Sequence, residues 1–559
     1  EIAGAPNAAA GKRLIAALSE NDPPLWDTWR EASRKSEAQS HFIRQSGRFP
    51  LCGRGDVNTY AVLAEHDAAI LGPHGRAGFI VPTGIATDDT TKDYFQSLVD
   101  GERLVSLLDF QTGPETFGNL AHGALRFCLL TLTGRPSSLP VDLMFLARST
   151  DEVRDEHRHV TLAQADFVLL NPNTRTCPAF RCRRDADINL SIYRQAGVLW
   201  REGNPDINPW NIRFLRMFDM AGDSSLFLVK HQVEQLGNCI KGNCFSSKSG
   251  LLVPLIEAKM VDIFDHRYAS LLGVNSGAGR TSRKLTGWYS ARGEDPHETA
   301  QPQYWVPEQE VRERLSGRWS REWLLGWRDI CRSTDQRTVV ASLIPKAAVG
   351  NKFLLLLPEA DPLSVAALYG NLCSFALDYC ARQKFTGTSL SYFTMRQLPV
   401  LPPSTYVAAA PWLSGAPASS WILPRVLELT YTAWDLQAFA LDVGWPGPPY
   451  RWDPERRFRL RCELDAAFFH LYGIPRADVD YIMDTFPIVR RNDEQKYGDY
   501  RTKNLILEIY DELQRAIDTG KPFASRLDPP PGDPRAAHSA DSGPRMGGAD
   551  SAERGNQHT

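Results

Sequence analysis

The feature that most narrows the fold is a strand–helix–strand–strand spacing between residues 75 and 132. Gly75-Arg76-Ala77-Gly78-Phe79-Ile80-Val81-Pro82 is a short apolar run between glycine and proline breakers, which predicts a buried strand entering a loop. Ahead of it, Tyr60, Leu63, Ala64, Ala68 and Leu71 recur at steps of three and four, the period of an amphipathic helix over 58–71. A second helix over 92–99 leads to apolar runs at 104–110 and 126–132, the last reached by a loop alone. Helical crossover followed by loop-only return predicts an α/β fold with an antiparallel strand at one sheet edge.

The flanks are less regular. Residues 1–47 read as polar helix, ending in the cations Arg30, Arg34, Lys35, Arg44 and Arg48. Aromatic residues become dense from about residue 150, with Trp200, Trp210, Trp305, Trp319, Trp323 and Trp327. Leu368, Leu372, Phe375 and Tyr379 mark one helix face, and Leu505, Ile509, Leu513 and Ile517 form the last stripe of a mostly helical stretch over 418–522. Beyond Ala524 the only large apolar side chains are Leu527 and Met546, so residues 524–559 are expected to be a disordered tail.

Composition removes several function classes. With 63 Lys+Arg against 66 Asp+Glu the formal charge is −3, which excludes a polycation but not a local basic face for nucleic acid. No run approaches the roughly 18–20 apolar residues of a membrane span, so no membrane partner is expected. Ten cysteines among 559 residues are too sparse for a disulfide-stapled scaffold, which points to a cytoplasmic protein. Two pairs with four-residue gaps, Cys177/Cys182 and Cys239/Cys244, could make a tetrahedral zinc site, but ordinary thiols are the simpler reading and no metal is expected. His157 and His159, beside Asp155 and Glu156, read as an exposed charged segment.

Residues 58–132 resemble the second half of the catalytic domain of adenine-specific DNA methyltransferases of the amino-group class: a helix with Tyr60 and Glu65, then the Gly75–Pro82 strand. Four further stretches are similar to the large fused enzymes of type IIG restriction–modification and of the BREX and DISARM phage-defence systems. These are Ser46-Gly47-Arg48-Phe49-Pro50-Leu51, Asn171-Pro172-Asn173-Thr174, Trp327-Arg328-Asp329-Ile330 and Gln397-Leu398-Pro399-Val400-Leu401-Pro402-Pro403. The resemblance implies the C-terminal part of a Rossmann-like methyltransferase sheet, then a mixed α+β target-recognition domain and a helical C-terminal region. The expected boundaries are 1–150, 151–410, 411–523 and the tail.

Such enzymes need a glycine-rich loop for S-adenosylmethionine and an Asn/Asp-Pro-Pro-aromatic loop for the adenine amino group, both ahead of the Tyr60 region. Only 59 residues precede Tyr60, so the chain is expected to begin just after the catalytic loop and to bind no cofactor alone. The look-alikes Asp22-Pro23-Pro24-Leu25, Gly447-Pro448-Pro449-Tyr450 and Asp528-Pro529-Pro530-Pro531 each lack part of that loop. Gly277-Ala278-Gly279 and Gly444-Trp445-Pro446-Gly447 lack the strand–turn–helix setting of a cofactor loop.

The resemblance also implies a base-stacking aromatic in the loop 111–124, whose only candidate is Phe117. For DNA contact, residues 311–337 carry seven arginines against four acids, a balance of +3. Arg318, Arg321, Arg328, Arg332 and Arg337 are the candidates there, because a guanidinium fork suits phosphate oxygens and the guanine edge. Lys384 and the cluster Arg44, Arg48 and Arg54 are the others. The expected function is part of a DNA adenine-N6 methyltransferase, partnered by double-stranded DNA and a missing N-terminal catalytic half in the same or a separate chain. The competing expectation is a stand-alone DNA-binding specificity subunit of a split methyltransferase, without catalysis of its own.

Overall fold

The computed structural model describes residues 2, 8–55, 57–113, 125–203, 205–235, 239–247, 250–270, 295–384 and 387–539. The chain divides into two units, residues 1–183 and 184–559, both of mixed helix and sheet.

The first unit opens with helices α1 (Ala8–Asn21) and α2 (Pro23–Gln45). The Asp22 side chain accepts the Leu25 N–H while two prolines occupy the first turn, so Asp22-Pro23-Pro24 is a helix start. Helix α3 (Thr59–Ile70), strand β1 (Arg76–Pro82), helix α4 (Lys92–Asp100) and strands β2 (Leu104–Gln111) and β3 (Arg126–Thr133) follow the sequence periods closely. Strands β4 (Val141–Ala147) and β5 (Val160–Leu162) and helix α5 (Gln164–Leu170) complete the unit.

Sheet order corrects one expectation. The order is β1-β3-β2-β4-β5, with β3 antiparallel to both neighbours and β2 parallel to β4. The antiparallel strand therefore lies inside the sheet, not at its edge. The connection through α4 carries β1 to a same-direction β2 one position away, and β3 returns to fill that slot. Its Cys128, Leu130 and Leu132 are fully buried as a result. The edge is β1.

The second unit begins with α6 (Arg183–Ala196), whose first residue straddles the division, and holds two sheets. One has the order β10 (Trp305–Pro307), β9 (Gly250–Ile256), β8 (Cys244–Ser247), β7 (Cys239–Lys241), with β13 (Ala348–Val349) parallel to β9. The other runs β12 (Ala341–Pro345), β11 (Trp323–Arg328), β14 (Phe353–Pro358), β6 (Ile212–Leu215). Every residue of β14 is buried, and Trp323 and Trp327 of β11 are fully so, as expected of a strand covered on both faces. Helix α7 (Glu308–Leu315) precedes β11.

The helical layer comprises α8 (Pro362–Leu372), α9 (Phe375–Lys384), α10 (Ala418–Thr430), α11 (Pro454–Leu471), α12 (Arg476–Asp484), α13 (Pro487–Tyr497) and α14 (Arg501–Thr519). The α14 stripe lies one residue from the predicted one at its start: Ile506, Ile509 and Leu513 are buried, while Leu505 and Ile517 are half-buried.

Residues 524–539 overturn the expectation of disorder, while 540–559 lie outside the described residues. Arg456 donates to the carbonyl of Pro529 at 2.7 Å, the Gly532 N–H reaches Glu428 at 3.0 Å, and Tyr450 Oη donates to the Gly532 carbonyl. Ala536 and Ala537 are buried. The segment lacks large apolar groups, but its prolines cut the entropy lost on ordering, and charged partners satisfy its backbone. These contacts also account for two of the Pro-Pro look-alikes, at 447–450 and 528–531.

Candidate nucleic-acid interface

In the first unit the motif residues hold one another. Glu65, 6% exposed, accepts the N–H groups of Leu51 and Cys52 at 3.0 and 2.8 Å, so helix α3 fixes the turn that follows Ser46–Leu51. Burial, with Glu65 adding to it, pushes the Cys52 thiol up to about 12. A Cβ at Gly53 would lie 2.5 Å from the Phe49 carbonyl, so only glycine fits there. We expect Glu65→Ala to leave one buried and one half-buried N–H unpaired and cost about 2–4 kcal/mol. Glu65→Gln should cost less, since one acceptor remains. Urea unfolding and hydrogen exchange at Leu51 and Cys52 would check both.

The carboxyl ends of β1, β2 and β4 meet at Asp109, which is fully buried. It accepts from Thr83 Oγ1, from Arg126 Nε at 3.1 Å and from the Leu146 N–H at 2.8 Å, and Arg126 Nη2 pairs with it as well. Leu146 has φ 60°, an uncommon conformation for a branched side chain, and Asp109 holds it there. Asn171, of the Asn-Pro-Asn-Thr stretch, donates to the Thr176 carbonyl, and Cys177 N–H reaches the Ala86 carbonyl just after β1. Open α/β sheets place ligands at this end of their strands.

Arg44 spans Ser40 and the Gly55 carbonyl at 2.7 and 2.8 Å, and Arg54 pairs with Asp93, so both brace the turn. Arg48 is exposed, 6.0 Å from the Phe49 ring. Phe117 lies outside the described residues. His159, read as exposed, is instead half-buried, with Nδ1 2.8 Å from Asp142 and Nε2 3.0 Å from the Val153 carbonyl.

In the second unit the predicted arginines separate into two groups. Arg321 donates to the Ala360 carbonyl at 2.6 Å and stacks against Trp319 and Trp323. Arg337 donates to the Cys373 carbonyl at 2.6 Å and lies 3.4 Å from Asp378. Arg328 is tied to the Val261 carbonyl, beside Tyr268. Lys384 is half-buried over the Tyr193 ring with Nζ on the Gln397 carbonyl, and burial holds its ammonium well below the ordinary range. Arg321, Arg337 and Lys384 are thus struts of the fold, a correction to their reading as DNA contacts. Arg318 and Arg332 are exposed, and their side chains make no hydrogen bond or ion pair among the described residues.

In the same unit several loops converge on a rim. The Asp329 N–H reaches the Lys352 carbonyl, Leu390 N–H the Asp329 carbonyl, Gly350 N–H the Ile256 carbonyl, and Asn351 donates to Asp219. Together they border a groove of about 310 Å³ lined by Met220, Lys259, Arg328, Ile330 and Lys352 among others. Ile330 is 51% exposed at its edge. Among the described residues Lys259 and Lys352 pair only with Glu257 and Asp329, and Arg216 stands exposed on a neighbouring loop. The sequence reading missed all three, because each is a lone cation in a turn whose neighbours come from distant segments.

Among the described residues no group of three or more His, Cys, Asp or Glu side chains is placed to hold a metal ion. No described helix is long and apolar enough to cross a membrane. Nor do the described glycine clusters fit S-adenosylmethionine: Gly444 follows a short helix with φ 87°, and a Cβ at Gly447 would meet the Trp445 ring at 2.6 Å. Gly277–Gly279 lie outside the described residues.

No family model and no curated protein matches the chain. Among solved structures, it is similar to the type IIL restriction-modification enzyme MmeI in complex with DNA, at 11% identity and TM-score 0.38, over 82% of this chain and 53% of that one. It is similar also to the type IIG restriction endonuclease BpuSI, at 11% identity and TM-score 0.26, over 86% of this chain and 52% of that one. The chain spans about half the length of each. At this level of identity and superposition, neither likeness bears on what the chain does.

Proposed function

We propose that this chain is the target-recognition part of an S-adenosylmethionine-dependent DNA adenine-N6 methyltransferase, of a restriction–modification or phage-defence system. It works on double-stranded DNA together with a catalytic half, in the same or a separate chain, that carries the cofactor and catalytic loops. The sequence resemblance supplies the chemistry, and the observation that carries the reading is the edge of β1. Among the described residues that strand is paired on one side only, with β3. Its apolar stretch includes Ile80, 65% exposed, and Leu63 and Ile70 of the adjoining helix α3 are 59% and 68% exposed. Edge strands are ordinarily guarded by charge or proline within the strand. Here Arg76 and Pro82 stand at the two ends of a Gly-Phe-Ile-Val stretch suited to a sheet interior. A strand of the catalytic polypeptide pairing with β1 would continue the sheet and bring the methyl donor to the end marked by Thr83 and Asp109. The second unit then presents Arg318, Arg332 and the rim cations to DNA phosphates.

The test has two arms. The isolated chain should show no methyl transfer and should bind duplex DNA in a salt-sensitive way. Arg318→Ala with Arg332→Ala should lower the salt slope by about 1 for each phosphate no longer neutralised, read by fluorescence anisotropy. Co-expression with the polypeptide bearing the Asn-Pro-Pro-aromatic loop should yield N6-methyladenine at one duplex sequence. Ile80→Asp should abolish that product while leaving DNA binding intact. Methylation by the 559 residues alone would overturn the reading. A catalytic half fused in frame with these residues would support a single enzyme, whereas one encoded by its own gene would favour the specificity subunit of a split methyltransferase.

A further inference from the structure

A second cavity, of about 340 Å³, lies within the second unit between β11, the helix pair α8–α9 and helix α11. One helical stripe supplies its most reactive wall: Phe458, Arg461, Cys462 and Asp465, at steps of three and four along α11. Asp465 is 6% exposed; its Oδ1 accepts the Phe375 N–H at 2.8 Å, and Oδ2 accepts no hydrogen bond from the described residues. Asp262, across the cavity, likewise uses one oxygen, on the Ile263 N–H. Arg461 is exposed and makes no hydrogen bond or ion pair among the described residues. The guanidinium groups of Arg328 and Arg337 each hold a carbonyl through Nη2, and Nε of each is buried with no hydrogen-bond partner among the described residues. Phe264, Tyr268, Phe375 and Phe458 provide aromatic surface.

The balance of open groups selects the ligand. A simple anion would face the unfilled oxygens of Asp262 and Asp465, and a simple cation would face three arginines. Neither fits. The complement is a flat ring that donates along one edge and accepts along another. Guanine does both, with N1–H and the 2-amino group for a carboxylate and O6 and N7 for a guanidinium. We propose that this cavity binds a guanine base, with Asp465 accepting from its Watson–Crick edge and Arg461 donating to its acceptor edge. The volume is at the lower end of ligand pockets and admits a base with its sugar. Burial pushes the Asp465 carboxyl up to about 6, which leaves it mostly an ionised acceptor at neutral pH. The base can come from a free nucleoside or from an unpaired strand.

Calorimetric titration of the full chain with guanosine, inosine and adenosine tests this. Guanosine should bind, and inosine, lacking the 2-amino group, should bind about tenfold more weakly, with adenosine weaker still. Asp465→Asn presents a donor where an acceptor is needed and should weaken guanosine by at least about tenfold. Arg461→Ala should do the same, and its exposure keeps the fold out of the result. A single-stranded oligonucleotide with one guanine separates the two sources. Binding of that strand with no response to guanosine, lost in both variants, assigns the base to nucleic acid. No binding of either probe, equal binding of adenosine, or binding unchanged in both variants would overturn the proposal.

Discussion

Asp109→Ala should destabilise the first unit by about 3–5 kcal/mol, the range for removing one partner of a buried ion pair. Arg126, whose side chain is 13% exposed, would keep its charge beside an emptied site. Thr83 Oγ1 and the Leu146 N–H would lose their acceptor together with it. Against a typical stability of about 5–15 kcal/mol, that loss should separate the melting of residues 1–183 from that of the second unit. Differential scanning calorimetry would show an early transition absent from the parent. The double variant Asp109→Leu, Arg126→Met is the informative control. It removes both charges and should lose less than Asp109→Ala alone, because no charge is stranded. An early transition of equal size in both variants would mean that the hydrogen bonds to Thr83 and Leu146, not the ion pair, dominate.

Asp109 also illustrates what the sequence makes legible. The runs that become β1, β2 and β3 announce themselves locally, because apolar length and glycine or proline breakers are properties of a few adjacent residues. The slot that β3 occupies does not, since it depends on how far the α4 crossover carries the chain. Nor could Asp109 be singled out inside its apolar run, because Thr83, Arg126 and Leu146 come from 17 to 37 positions away. The same distance effect divides the arginines of 311–337. Arg321 and Arg337 find carbonyls 39 and 36 residues off and become struts, whereas Arg318 and Arg332 find none among the described residues. A charge count gives the sum of such a run, but a partner from another segment decides each member. Asp-Pro-Pro at 22–24 errs in the opposite sense: its meaning is local, a capped helix start, and the catalytic look-alike is the coincidence.

Asp378→Ala is expected to have the comparable effect in the second unit, again about 3–5 kcal/mol. The carboxylate is fully buried on α9, where Oδ1 accepts the N–H groups of Thr338 and Val339 at 2.8 and 2.6 Å. Its Oδ2 lies 3.4 and 3.3 Å from Nε of Arg337 and Arg382. One side chain therefore pins the entry to β12 and neutralises two guanidinium groups whose side chains are 14% and 9% exposed. Asp335, Gln336 and Arg337, just ahead of the pinned residues, line the cavity against α11. Loosening them should weaken guanosine as well as lower the unfolding midpoint. Asp378→Asn separates the two roles. Its amide oxygen can still accept from Thr338 and Val339, but its amino group would face two donors. If N–H acceptance dominates, asparagine should recover most of the loss; if charge pairing dominates, it should fall close to alanine. A loss below about 1 kcal/mol for alanine, the size of one exposed pair, would show that neither role is as strong as the geometry requires.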